Sequence, residues 1–110
     1  MITPKILGQI SQESNILYIK ADKNYSVFHL KNGTTYVSGY TLKFHEGFLD
    51  VANFIRPNRS ILVHKSYVKG MKEKGKANYA TLKNGSDVLI SRRKVKIIQE
   101  ELALLTLKTR

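Results

Sequence analysis

The chain has 110 residues, 42% hydrophobic and 25% charged, the make-up of one ordinary globular domain. It contains no cysteine, which excludes disulfides and thiolate chemistry. Its 19 Lys and Arg against 8 Asp and Glu leave a formal charge of +11, the balance of a domain that meets a polyanion.

The excess is concentrated. Residues 1–55 carry 5 Lys against 4 acids, and residues 97–110 carry 2 cations against 2 acids. Residues 56–96 carry 12 Lys and Arg against Glu73 and Asp87 alone, a net +10. A generally solvated basic surface predicts an even spread, so one basic face is expected.

In chain order, MITPKILGQI lacks the basic and then apolar regions of a secretory signal. No apolar run approaches the ~18 residues of a membrane span. A soluble, cytoplasmic protein without membrane insertion is expected. ILYIK (16–20) and YSVFHL (25–30) read as short strands, joined across Asp22-Lys23-Asn24. Asn32-Gly33 predicts a hairpin with a type I′ turn, returning through TTYVSG (34–39). LKNG at 30–33 recurs at 82–85, between ANYATL and DVLI, so the same hairpin is expected twice. TLKFHEGFL (41–49) predicts a helix of about two turns, capped by Thr41, with Leu42, Phe44, Phe48 and Leu49 on one face. KEKGK (72–76) reads as a mobile basic turn. SRRKVKIIQEELALL (91–105) predicts a terminal helix capped by Ser91, with Val95, Ile98, Leu102 and Leu105 as its apolar stripe.

Two segments place cations where local stability would not. In FIRPNRSILVHKSY (54–67), Arg56, Arg59, His64 and Lys65 interrupt core-type residues, and the stretch holds no acid. Burying an unpaired cation is costly, so these side chains are expected to face water or an external anion. Arg92, Arg93, Lys94 and Lys96 crowd the start of the terminal helix, where the macrodipole favours acids. Such a helix start, with a serine cap and two arginines, suits phosphate.

Enzyme chemistry finds no footing. His29, His45 and His64 stand apart without metal-ligand spacing, the acids form no catalytic pair, and no phosphate-binding glycine loop occurs. No catalytic activity and no cofactor are expected.

The order "ILYIKADKNYSVFHLKNG", "SGYTLKFHEGFL", "FIRPNRSILVHKSYV" and "LKNGSDVLISRRKV" resembles the LytTR family of bacterial DNA-binding domains over about residues 6–105. Arg56, Arg59, Ser60, Val63, Gly85, Ser91 and Arg92 carry the likeness together. The sequence departs from the family pattern at Lys20, Asn58 and His64. The resemblance implies a single domain spanning 1–110: a mainly β, elongated stack of small antiparallel sheets with a short internal helix and a C-terminal helix. It implies a bacterial transcription regulator whose loops enter the major groove of double-stranded DNA. Asn24, Arg59 and Arg93 would contact bases; Lys23, Ser60, His64, Lys65, Ser91, Arg92, Lys94 and Lys96 would contact phosphates. Two copies on direct-repeat sites are expected. Many members carry a receiver domain ahead of this unit, which this chain has no room for. A stand-alone regulator or an excised domain follows, the former taking its signal from a regulatory protein partner, abundance or autoregulation. The alternatives are an RNA-binding domain, with Tyr18, Tyr25, Phe28, Tyr36, Tyr40 and Tyr79 as stacking candidates, or a protein-interaction module using the same basic face.

Overall fold

A computed structural model of the chain describes residues 13–50 and 52–108. The signal-sequence reading of residues 1–10 and the start of the family likeness at residue 6 lie outside them, as does the side chain of Leu105. Among the described residues there are eight strands: β1 (Ile16–Asp22), β2 (Tyr25–Leu30), β3 (Thr35–Ser38), β4 (Phe54–Asn58), β5 (Ile61–His64), β6 (Val68–Lys74), β7 (Ala77–Leu82) and β8 (Asp87–Ile90). Helix α1 (Leu42–Glu46) follows β3, and α2 (Val95–Lys108) ends the fold. The expected mainly β architecture is present as two antiparallel sheets, five strands in the order β3-β2-β1-β5-β4 and three in the order β6-β7-β8.

Two cores flank the larger sheet, and alternation along β5 explains both. Leu62 faces one side, with Ile16, Ile19, Phe28, Leu30, Phe54 and, from α1 and the turn after it, Leu42 and Leu49. Ile61 and Val63 face the other, against Ala80, Leu82 and Ile90 of the small sheet and Ile98 of α2. Each Val, Leu, Ile or Phe side chain so withdrawn from water contributes about 1.5–3 kcal/mol. A register shift between Ile16 and Tyr18 lets Ile16 and Ile19 serve the same core despite their odd spacing. The stripe of α2 is as expected: Ile98 is buried, and Val95 and Leu102 pack beside it.

Three local expectations are corrected. The hairpin at Asn32-Gly33 is not type I′, because Gly33 alone takes a positive φ, +87°. Gly33 N–H donates to the Leu30 carbonyl at 3.0 Å, so Lys31-Asn32 form a type I turn closed by a left-handed glycine. Asn32 Oδ1 accepts from Thr34 N–H at 3.0 Å, which favours this form. LKNG at 82–85 repeats the turn bond for bond, with Gly85 at +90° and Asn84 Oδ1 accepting from Ser86 N–H. The internal helix is shorter than expected. Thr41 caps it by accepting from Phe44 N–H, but it ends at Glu46, so Phe48 is left exposed and His45 is buried instead. Ser91 makes no side-chain cap; a short 3₁₀ turn, Arg92–Lys94, precedes α2.

Candidate nucleic-acid interface

Antiparallel pairing carries the candidate residues to one end of the large sheet. Asp22 pairs with Tyr25, so Lys23-Asn24 is a two-residue turn at the tip of β1–β2. Lys20 pairs with Ile61, which places the Arg59-Ser60 turn at the same end. Ala21 N–H donates to the Ser60 carbonyl at 2.8 Å, joining the two turns directly. The end of β8 arrives there too, because Ser91 N–H donates to the Pro57 carbonyl at 2.8 Å. The turn at 23–24 and the segment 91–94, from distant parts of the chain, are thus each brought to the turn at 58–60.

The middle turn is held tightly. Asn58 Oδ1 accepts from Ser60 N–H at 2.7 Å, and its Nδ2 donates to the Leu89 carbonyl at 2.6 Å, tying the turn to the small sheet. Arg56 donates to the carbonyls of Asn58 (3.3 Å) and Arg59 (3.0 Å) and forms a short ion pair with Glu46 of α1. The anion expected from outside the chain is, for Arg56, the chain's own carboxylate ten residues upstream. No sequence period links a strand to a preceding helix, so this pair left no signal. In the first turn, Lys23 adopts φ +57°, an unusual conformation for a residue with a Cβ and a mark of a constrained tip.

Arg59 and Arg93 line a single cleft of about 410 Å³ with Lys43, Glu46, Arg56, Asn58, Ser91 and Lys94. Arg59, Arg92 and Arg93 are exposed, and among the described residues no carboxylate pairs with any of them. Lys96 is exposed at the start of α2. Lys94 is engaged internally, its Nζ donating to the Arg56 carbonyl at 2.8 Å. Lys43, which was not among the sequence candidates, joins the cleft because α1 packs against β5 and pairs through Glu46 with Arg56 of β4.

Two candidates stand elsewhere. His64 ends β5 about 13 Å from Ser60 at the usual strand rise, and Lys65 follows it in a 3₁₀ turn. Lys65 Nζ sits 3.3 Å from Glu101, its side chain 14% exposed. His64 Nδ1 accepts from Ser66 N–H at 3.1 Å, the ring meets Phe54 edge-on at 5.0 Å, and burial pushes its pKa down. The aromatic residues do not form one stacking platform. Phe28 is buried, Tyr18 is stacked between His29 and Tyr67, and Tyr25 and Tyr40 are the exposed ones.

Among the described residues no group of His, Asp and Glu is placed to hold a metal ion, and no helix is long and apolar enough to cross a membrane. No curated protein matches the chain. A solved structure from Bacillus cereus, the LytTr DNA-binding domain of a protein described as a methyl-accepting/DNA response regulator, superposes with a TM-score of 0.69. It is 22% identical, over 81% of this chain and 82% of that one, a likeness of fold. The family model of the LytTr DNA-binding domain matches residues 10–103. With nearly the whole chain inside that match, this protein belongs to the LytTr family of DNA-binding domains, a family of DNA binders and not of enzymes.

Proposed function

We propose that the chain is a sequence-specific regulator of transcription that reads the major groove of double-stranded DNA with turns. The observation that carries this is the convergence of three cationic segments on one end of the sheet, with Arg59 and Arg93 in one cleft and no carboxylate among the described residues paired to either. An arginine fork matches guanine O6 and N7, and an asparagine amide matches adenine N6 and N7. Arg59 and Arg93 therefore take guanines, and Asn24 takes an adenine. Lys23, Ser60, Ser91, Arg92 and Lys96 surround these readers and take phosphates, with Lys43 added from α1. Lys65 and Lys94 give their donors first to Glu101 and to the Arg56 carbonyl, which takes them out of the phosphate set. His64, at the far end of β5, is left out with them.

Selection from a random duplex library tests the reading. The expected outcome is two similar short motifs about one helical turn apart, bound by two copies. If roughly six phosphates are neutralised, log K against log[salt] falls with a slope near −5. A slope shallower than about −2, or no enriched motif, refutes it in favour of a protein partner or single-stranded RNA.

A further inference from the structure

We infer that Arg56 is the positioning residue for both base-reading arginines, an inference that rests on the reading proposed above. Its two ends do different things. The guanidinium donates to the carbonyls of Asn58 and Arg59, which fixes the path of the turn that carries the Arg59 side chain. The main-chain carbonyl of Arg56 accepts from Lys94 Nζ, and Lys94 adjoins Arg93 in the 3₁₀ turn before α2. One residue therefore bonds to both segments that present the arginines to the cleft. Pro57 adds a parallel link, its carbonyl accepting from Ser91 N–H.

Glu46 completes the device. Its ion pair with Arg56 leaves the guanidinium, 16% exposed, facing the protein, while Arg59 three residues on is free to face a ligand. The pair also puts a carboxylate in a cleft whose other charged residues are all cations. It holds Arg56 inward and lowers the pull of the cleft on any phosphate chain. Glu46 thus restrains indiscriminate binding while it orients the readers. A lysine at position 56 keeps the charge but has no planar fork to span two carbonyls and a carboxylate.

The experiment compares binding to the selected site and to random duplex for the full chain and for Arg56→Lys, Arg56→Gln, Glu46→Gln, Arg59→Ala and the double variant Arg56→Lys with Arg59→Ala, with a melting temperature for each. One bidentate base contact carries about 5–150-fold of discrimination, and mispositioning it forfeits part of that. Arg56→Lys is expected to narrow the ratio of site to random affinity by about tenfold, with an unchanged salt slope. Glu46→Gln is expected to bind random duplex more tightly than the parent and to narrow the ratio as well. In combination with Arg59→Ala, Arg56→Lys should cost less than it does alone, because its effect passes through Arg59. If Arg56 met phosphate directly, Arg56→Gln would weaken both duplexes alike and lower the slope by about one, which overturns the inference. A folded Arg56→Lys that keeps the parent's ratio while Arg59→Ala loses it overturns the positioning role and leaves the reading intact. A parent with no preference overturns both.

Discussion

The turn at residues 58–60 and the hairpin at residues 74–77 both present cations to solvent, and they differ in what holds them. The first is tied by bonds to three other places, Ala21, Leu89 and the guanidinium of Arg56, and closed from within by Asn58 folding back on Ser60. The second is a two-residue turn, Gly75-Lys76, with Gly75 at φ +65° and Lys74 paired to Ala77. Among the described residues no hydrogen bond outside the β6–β7 ladder reaches Lys74, Gly75 or Lys76. A cation on the first can be aimed at a single base edge. A cation on the second can only follow a phosphate backbone. Charge alone does not separate a reader from a holder; anchoring does.

Acid should break the anchored side. His45, on the inner face of α1, is wholly buried, with Nε2 2.8 Å from Ser38 Oγ, and burial lowers its pKa to about 4. A folded value below the unfolded 6.5 means that the unfolded chain binds the extra proton. The contribution is therefore complete above about pH 6.5 and declines as pH falls from there to about 4. It amounts to roughly 3 kcal/mol at the acid limit. Because α1 also holds Glu46, loosening it loosens the grip on Arg56. Denaturant unfolding at neutral pH and at about pH 4 checks the loss, and an NMR titration of His45 with a midpoint near 6.5 would remove its cause.

Substitutions at the cleft come next. Arg59→Ala should cost about 1–3 kcal/mol on the selected site and much less on random duplex, and Arg93→Ala the same at a different base position. Arg92→Ala should weaken both duplexes equally and lower the salt slope by about one unit. Binding isotherms on the two duplexes, each with a melting curve, distinguish the cases. A folded Arg59→Ala with full preference leaves a domain that holds DNA by its backbone alone.

Asn58→Ala sharpens the comparison from the anchoring side, since Asn58 touches no base in this reading. It removes the bonds to Ser60 and Leu89 and should cost about 1 kcal/mol of stability, measured by denaturant unfolding. Part of the discrimination should go with it. Unchanged discrimination would mean that the Arg56 bonds alone fix the turn.

The strands of the first hairpin and the position of both LKNG hairpins were legible because alternation and turn chemistry are local, whereas the order β1-β5-β4 joins strands far apart in the chain. The exposed arginines were legible because nothing nearby in sequence neutralises them. What stayed hidden depends on residues far apart in the chain. Glu46 reaches Arg56 from the preceding helix, Glu101 reaches Lys65 from α2, and Lys94 turns back to β4. Each pairing takes a cation that looked available in sequence and commits it to the protein. His45 was hidden differently: the apolar spacing of 42–49 suggested a longer helix, whereas the chain leaves α1 at Glu46 and turns His45 inward.

The smallest effect on discrimination belongs to the hairpin. Lys72 is partly committed, its Nζ 2.7 Å from Asp87, whose carboxyl is held below its usual range by bonds from Lys72 and Thr81. Lys74 and Lys76 are exposed and carry no such partner among the described residues. Replacing all three with Gln should lower the salt slope by about two units, for the two free cations, and weaken the selected site and random duplex by the same factor. The ratio between them should move by less than about 0.5 kcal/mol, because backbone contacts carry no sequence information. Filter-binding titrations over a range of salt read both quantities at once. If the ratio collapses, the hairpin reads bases despite its loose attachment, and anchoring is not what separates the two regions.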